Sequence, residues 1–306
     1  MDTKQIEYIL KIAEENNITK AAEKLFITQS ALNQQLLKLE KELGTPLFHR
    51  SRTNWRLTEA GEIYIEGAKA ALQIKNTTYN RIYDVVSARK GHLTIGLTPG
   101  RGLRMFTAIY PELHRSFPNL DVRPIEMRVR AQQDAIAKGD IDVGLMTLTQ
   151  KDQTSDTYYP LKQEELVLII PSGHPLAAKA APSGEPLTTL DLTELRYEPF
   201  VLMDKTSTLR SSCDLLFEKA GFAPNILFET NNTSGIAAMV QSTLCCGIIP
   251  RYYTLGLTEG VACFSLPERP SWEIVISCQK NAYLNSGARE FIRLAREYWE
   301  NSAPLF

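Results

Sequence analysis

Ile18-Thr-Lys-Ala-Ala-Glu-Lys-Leu-Phe-Ile-Thr-Gln-Ser-Ala-Leu32 decides how the front of this chain folds, because two helix starts lie within it. Thr19 is expected to cap one helix, with Ala21, Ala22 and Leu25 as its inner face, and Thr28 to cap the next. From Thr28 onward Leu32, Leu36, Leu39 and Leu43 form one apolar stripe, stopped at Gly44 and Pro46. Two helices joined by about three or four residues, the second freshly capped, make a helix-turn-helix. Upstream, Ile6, Ile9, Leu10 and Ala13 recur at helical spacing as far as Asn16-Asn17. Downstream, the alternation from Leu47 to Leu57 predicts two short strands of a wing, turning near Ser51–Asn54.

With the leucine stripe facing inward, Ser30, Gln34, Lys38 and Lys41 point outward, flanked by Gln29 and Asn33. Amide side chains pair bidentately with adenine, hydroxyls take either role, and lysines reach phosphate. Over residues 20–56 the basic Lys20, Lys24, Lys38, Lys41, Arg50, Arg52 and Arg56 outnumber the acidic Glu23, Glu40 and Glu42. That local excess is the footprint expected of double-stranded DNA contact. A solvated helix surface accounts for any one of these side chains; their joint placement on one helix and one wing points to DNA. Leu37 also faces outward, toward a partner helix or a thymine methyl.

A helix then starts at Thr58-Glu59 and is expected to run to about Arg89 without a proline. Leu57, Gly61, Tyr64, Ala68, Ala71, Lys75, Thr78, Ile82 and Val85 alternate spacings of four and three, a heptad seam. Two readings stand: a dimerising linker helix, or a single long helix packed on its own domain. Beyond Gly91 strands and helices alternate: Leu93–Leu97, a helix over 101–116, Val122–Ile125, a helix over 131–138, and Ile141–Met146. This βαβαβ order implies a mainly parallel sheet covered by helices. A second series runs from Leu166–Ile170 through Phe200–Leu202, Ile226–Phe228 and Gly247–Ile249, and Ile274–Ser277 with a helix near 287–300 closes the chain. Two α/β lobes of roughly 100 residues are expected, with the cleft between them as a small-molecule site.

The bulk properties narrow the function classes. A net charge of −1 over 306 residues argues against a uniformly basic nucleic-acid coat but not against one positive face. The five cysteines (Cys213, Cys245, Cys246, Cys263 and Cys278) lack metal-type spacing and suit reduced thiols. The N-terminus carries no signal-peptide pattern and no stretch reaches the length of a membrane span, so a cytoplasmic protein without membrane contact is expected. Neither a Gly-x-Ser-x-Gly elbow, a Walker loop nor a His-Glu-x-x-His occurs, and the four histidines are scattered. Pro99-Gly100-Arg101-Gly102 lacks the third glycine of a dinucleotide fingerprint. No enzyme, cofactor or metal is predicted.

The opening segment, together with Leu39-Glu-Lys-Glu-Leu-Gly-Thr-Pro-Leu-Phe48 and Arg56-Leu-Thr-Glu-Ala-Gly61, resembles the LysR-type transcriptional regulators. Phe117-Pro118, Gly139-Asp-Ile-Asp142 and His174-Pro-Leu176 fit that family's layout more loosely. The resemblance implies an α/β fold with an N-terminal winged helix-turn-helix over 1–58, a dimerising linker helix over 59–89 and an effector-binding domain over 90–306. That domain is a two-lobe, periplasmic-binding-protein-like (type 2) fold, with lobe 1 about 90–162 plus 267–306 and lobe 2 about 163–266. The implied partners are double-stranded DNA carrying an inverted-repeat operator, a small-molecule effector, further copies of the chain up to a tetramer, and RNA polymerase. Thr28, Gln29, Ser30, Asn33, Gln34 and Lys38 carry over as DNA contacts, with Arg50 and Arg52 at the wing. Departures occur at Ser30, Asn33 and Gln34, where the family commonly has proline, serine and arginine, and at Arg52 and Thr53 in place of glycine and arginine.

Effector contacts implied by the resemblance are Thr98, Gly100 and Arg101; Arg128 and Arg130; Met146 and Thr147; Thr206, Ser207 and Thr208; and Asn231, Asn232 and Thr233. Hydroxyls and helix starts make an anion site, to which Arg101 and one of Arg128 or Arg130 would add bidentate recognition of a carboxylate or phosphate. A small anionic effector is therefore expected, against the alternative that these arginines are simply exposed or meet other proteins. The position of the cysteine by which some relatives sense peroxide falls on Thr208, so that chemistry is not expected; Cys213 and the Cys245-Cys246 pair read as packed residues. The competing reading is a cytosolic solute-binding protein of the same two-lobe fold with an accessory DNA-binding domain. An α/β enzyme with such a domain is disfavoured by the missing catalytic constellation.

Overall fold

The computed structural model describes residues 2–51, 55–86, 89–182, 184–257 and 259–301. Three helices open the chain: α1 (Thr3–Glu15), α2 (Ile18–Lys24) and α3 (Gln29–Leu43). The cap of α2 is Asn17 rather than Thr19: its Oδ1 accepts the N–H groups of Thr19 and Lys20 at 2.9 and 3.1 Å. Ile18 is thereby the first residue of the helix, and it is buried. Thr28 caps α3 as expected, its Oγ1 accepting from the Ala31 N–H at 3.2 Å, and Gly44 ends the helix in the left-handed region. Leu32, Leu36 and Leu39 pack against Ile6, Ile9, Ile12 and Ala21, whereas Leu43 lies 45% exposed. Strands β1 (Phe48–His49) and β2 (Arg56–Leu57) pair antiparallel as the wing.

Helix α4 (Glu59–Val85) stops earlier than the expected Arg89. Its seam divides. Gly61, Tyr64 and Ala68 are buried in the winged domain's own core, with Leu57 and Ala71 packed beside them. Ile82 and Val85 are 52% and 84% exposed, beside exposed Ile74 and Tyr79. The first half of the helix is thus mainly an internal element, although Ile63 on it is 68% exposed, and the second half gathers Ile74, Tyr79, Ile82 and Val85 as outward apolar surface.

The remainder forms strands β3 (Lys90–Leu97), β4 (Asn119–Glu126), β5 (Val143–Leu148), β6 (Thr157–Pro171), β7 (Pro199–Met203), β8 (Asn225–Thr230), β9 (Gly247–Pro250), β10 (Val261–Ser265) and β11 (Ser271–Cys278). Between them lie helices α5 (Arg101–Ser116), α6 (Val129–Ala137), α7 (Thr208–Lys219) and α8 (Thr233–Gln241), and α9 (Ser286–Asn301) closes the chain. The main sheet has the order β10-β6-β11-β5-β3-β4, with β9 also on β6, while β7 and β8 pair separately. It is a mixed sheet, not a mainly parallel one. Only β4-β3-β5 and β7-β8 run parallel; β6 pairs antiparallel with β9, β10 and β11. The 15-residue β6 is the reason, because its first half pairs with β11 and its second half with β9 and β10. It passes from a core built on Leu93, Ile95, Met105 and Phe291 into one built on Leu168, Phe200, Phe217 and Phe264. These are the cores of lobe 1 and lobe 2.

The end of α4 is fastened to lobe 1. Asp84 accepts from the Ser286 N–H at 3.0 Å, the Ser286 hydroxyl at 2.6 Å, the Tyr283 hydroxyl at 2.6 Å and Arg289 at 3.2 Å. Burial acts to raise the Asp84 pKa, but these donors together hold it below the usual carboxylate range. One turn earlier, Asn80 Oδ1 accepts from the His92 N–H at 3.2 Å, and a side chain on Gly91 (φ +141°) would meet that oxygen. Asp84→Ala should cost about 1–2 kcal/mol by stripping the start of α9 of its acceptor. An unchanged urea midpoint would show that the fastening contributes nothing.

Candidate functional site

The outward face of α3 carries Gln29, Ser30, Gln34 and Lys38, all exposed, with Asn33 half-buried at its edge. Thr28 sits at the same end, with its hydroxyl engaged as the cap. Thr19 on α2 donates to Gln29 Oε1 at 3.2 Å, which orients that amide. Arg50 is tied down: it pairs with Glu40 of α3, and its guanidinium lies 5.5 Å from the Trp55 ring centroid. Glu40, itself buried, also accepts the Leu47 N–H at 2.8 Å. This carboxylate therefore clasps the wing to α3, and Arg50 positions the wing as much as it faces outward. Arg52 and Thr53 lie outside the described residues. Two exposed apolar groups sit near this face: Leu37, as its outward placement predicted, and Phe26. Phe26 is 95% exposed in the α2–α3 turn at φ +55°, and sequence reasoning passed over it.

Between the lobes lies a cavity of about 430 Å³. Thr98, Gly100, Arg101, Arg128, Thr147, Thr206, Ser207, Thr208, Asn231, Asn232 and Thr233 all line it. The starts of α5, α7 and α8 converge there, α7 capped by Ser207 and α8 by Asn232. Two expected residues lie elsewhere. Met146 is wholly buried against Val129, Ile136 and Ile141, because alternate residues of a strand face opposite sides and Thr147 takes the cleft side. Arg130, on the first turn of α6, is exposed and does not line the cavity.

Arg101 corrects the expected arginine clamp. It is 4% exposed and paired with Glu164 at 2.5 Å, with the rings of Tyr252, Tyr253 and Trp272 at 5.3–5.5 Å. Glu164 also accepts the Trp272 Nε1–H at 2.7 Å and the Tyr252 N–H at 3.0 Å. Burial alone would lower the arginine's pKa; the Glu164 charge beside it raises it instead. The guanidinium is neutralised and forms part of the cavity floor. Sequence reasoning missed Arg104, which lines the cavity one helical turn on, and the aromatic wall of Tyr252, Tyr253 and Trp272. The spacing Arg101–Arg104 was the available signal, since residues three apart share a helix face. The Thr98 hydroxyl is buried on the cavity wall with no hydrogen-bond partner among the described residues.

Arg128, the N-cap residue of α6, reaches across the cleft. Its Nη1 donates to Asp204 Oδ1 at 2.6 Å and to the Thr206 hydroxyl. Burial opposes ionisation of Asp204, yet Arg128 and Thr206 outweigh it and hold the carboxyl down at about 2. Nearby, the Thr208 hydroxyl donates to the Thr147 carbonyl at 3.1 Å. The cysteines sit in other surroundings: burial pushes Cys213 and Cys246 up to about 12 and Cys263 to about 11, far from the thiolate that redox sensing requires. Among the described residues no group of three His, Cys, Asp or Glu is placed to hold a metal, and no helix is long and apolar enough to cross a membrane.

Two family models match the chain. "Bacterial regulatory helix-turn-helix protein, lysR family" covers residues 3–62, and "LysR substrate binding domain" covers residues 87–300. An uncharacterised HTH-type transcriptional regulator of Bacillus subtilis, YcgK, is 29% identical over 97% of this chain and 94% of its own length. Among solved structures, a full-length OxyR variant from Pseudomonas aeruginosa superposes with a TM-score of 0.69 at 21% identity, over 98% of this chain and 95% of that one. Full-length CbnR in complex with its target DNA gives 0.65 at 20% identity, over 97% and 100%. The chain carries a reading head with an exposed amide- and hydroxyl-bearing helix, joined by a long helix to a two-lobed domain with a lined cleft, and with both family models matched it belongs to the LysR family of DNA-binding transcriptional regulators.

Proposed function

We propose that this regulator reads an inverted-repeat operator as a dimer joined through the outer half of α4, assembles further to a tetramer, and alters its hold on promoter DNA when a small anionic metabolite enters the interlobe cleft. The observation that carries the DNA part is the outward face of α3, where Gln29, Ser30, Gln34 and Lys38 stand exposed beside a wing clasped by Glu40. Residues 1–58 act as the reading head, 59–89 as linker and 90–306 as effector domain. The cleft supports an anion through three converging helix starts, the hydroxyls of Thr98, Thr147 and Thr206, and Arg104. Arg101 contributes shape and not charge. The aromatic wall gives one end of the cavity an apolar lining, which suits a carboxylate with a hydrophobic tail. The protein acts by binding and not by catalysis, in the cytoplasm, and RNA polymerase is a further partner at the promoter.

Gel shifts with the full chain on the DNA upstream of its own gene test this. Affinity should fall steeply with salt as phosphate contacts release counterions. Gln34→Ala should weaken binding to the specific fragment by about 1–3 kcal/mol, the range for one bidentate base contact, and leave binding to unrelated DNA nearly unchanged. An equal loss on both DNAs would remove Gln34 from base reading.

A further inference from the structure

The cleft mouth holds an ion pair that the binding reading does not use. Arg128 lines the cavity, while its partner Asp204, just past the end of β7, stands outside the lining. Asp204 is fixed from its own side. Its Oδ1 accepts the Thr206 N–H at 3.0 Å and the Thr206 hydroxyl at 2.6 Å, and its backbone N–H donates to the Thr230 carbonyl at 2.8 Å. Arg128 holds it through one nitrogen, Nη1, and not through the two-pronged contact that makes arginine–carboxylate pairs strong. The arginine is 44% exposed, so solvent screens the pair and leaves the long side chain free to change partner. The other cavity-lining arginines are placed differently: Arg101 is locked on Glu164, and Arg104 lies 5.9 Å from the Tyr252 ring centroid.

Resting on the reading of the cleft as an anion site, we propose that Asp204 is a built-in competitor for the effector's carboxylate: Arg128 exchanges Asp204 for the effector on binding. The exchange moves the hydrogen bonds of Arg128 Nη1 to Asp204 and to the Thr206 hydroxyl from lobe-to-lobe contacts to a lobe-to-ligand contact. Two consequences follow. Effector affinity is lowered by the need to displace Asp204, which sets the concentration at which the regulator responds. Binding also releases lobe 2 from Arg128, so that occupancy of the cleft is read out as a change in how the lobes are held, the differential interaction that any ligand-driven switch requires.

The test titrates the full-length protein with acetate, succinate, benzoate and citrate by calorimetry at fixed salt. The parent is compared with Asp204→Asn, Asp204→Ser, Arg128→Ala and the Asp204→Asn/Arg128→Ala pair. For whichever anions bind, both Asp204 substitutions should tighten binding about two- to fivefold, the range of an exposed ion pair. Arg128→Ala should weaken it about tenfold or more, as loss of a charged hydrogen bond does. In the double variant the gain from Asp204→Asn should vanish, because nothing remains to compete for. Tightening that persists without Arg128 would mean simple charge repulsion and overturn the exchange. Unchanged or weaker binding in both Asp204 variants overturns it as well, with the anion reading intact. Failure of every anion to bind any of these proteins overturns the exchange and the anion reading together.

Discussion

Glu164→Gln should destabilise the effector domain by about 3–5 kcal/mol, the cost of leaving a buried charge without its counter-ion. Glutamine keeps the shape but only one acceptor oxygen, so either the Trp272 Nε1–H, bound to Oε2, or the Tyr252 N–H, bound to Oε1, loses its partner along with the charge of Arg101. At about 2–4 °C per kcal/mol for a domain of this size, the melting temperature should drop by about 6–20 °C. Adding Arg101→Met to the variant should recover most of it, since the orphaned cation is then gone. A Glu164→Gln protein within 1 kcal/mol of the parent would show that Arg101 finds solvent in its buried place. The same pair sets a limit on effector chemistry. An anion that bound by pulling Arg101 off Glu164 would strand the carboxylate, so the acid group is better met by helix starts and hydroxyls.

The second large effect lies in the reading head. Gly61, three residues into α4, packs so closely on the wing that a methyl group there would sit 2.1 Å from the Leu47 carbonyl oxygen and 3.1 Å from Leu57 Cδ2. That oxygen already accepts the Thr58 N–H at 3.0 Å. Backbone cannot yield as a flexible side chain does, so Gly61→Ala must push α4 and the wing apart. The cost, about 2–4 kcal/mol of overpacking and a lost hydrogen bond, exceeds the roughly 1 kcal/mol that alanine gains in a helix. Specific DNA binding should fall to the non-specific level. Gly67→Ala is the matched control. It lies two turns on, exposed, with nothing within 4 Å of the added carbon, and should stabilise by about 0.5–1 kcal/mol. Urea melts and gel shifts of the two variants should therefore move in opposite directions. Parallel behaviour would show that helix propensity, and not the Leu47 contact, governs this segment.

The reading head was legible because its determinants are local. Leu32, Leu36 and Leu39 lie on one stripe behind a threonine cap, and no distant contact is needed to place Gln34 on the other side. Where two neighbouring residues can both cap, as Asn17 and Thr19 can, pattern alone does not choose. The hydrogen bonds that Asn17 Oδ1 accepts from the Thr19 and Lys20 N–H groups do. The β6 strand defeated the expectation of a mainly parallel sheet because its partners β9, β10 and β11 all come later in the chain and pair antiparallel. Arg101 at a helix start reads locally as an anion ligand; its neutraliser, Glu164, stands 63 positions away. The misplacement of Met146 was avoidable, since Thr147 shares strand parity with Val143 and Leu145, and Met146 does not.

The grip of Asp84 on Ser286 gives α4 the mechanics of a lever. With its far end bolted to lobe 1, a helix of 27 residues is an arm of about 40 Å. A tilt of lobe 1 by about 5° then sweeps the reading head through roughly 3.5 Å, close to the 3.4 Å step between successive bases along a strand. A motion too small to unsettle the lobe's packing is thus large enough to shift a recognition helix by one base pair. For anyone grafting a foreign reading head onto this sensor, the joint belongs before Lys69, so that its ion pair with Asp140 and the Asp84 bolt both stay with the lobe they hold.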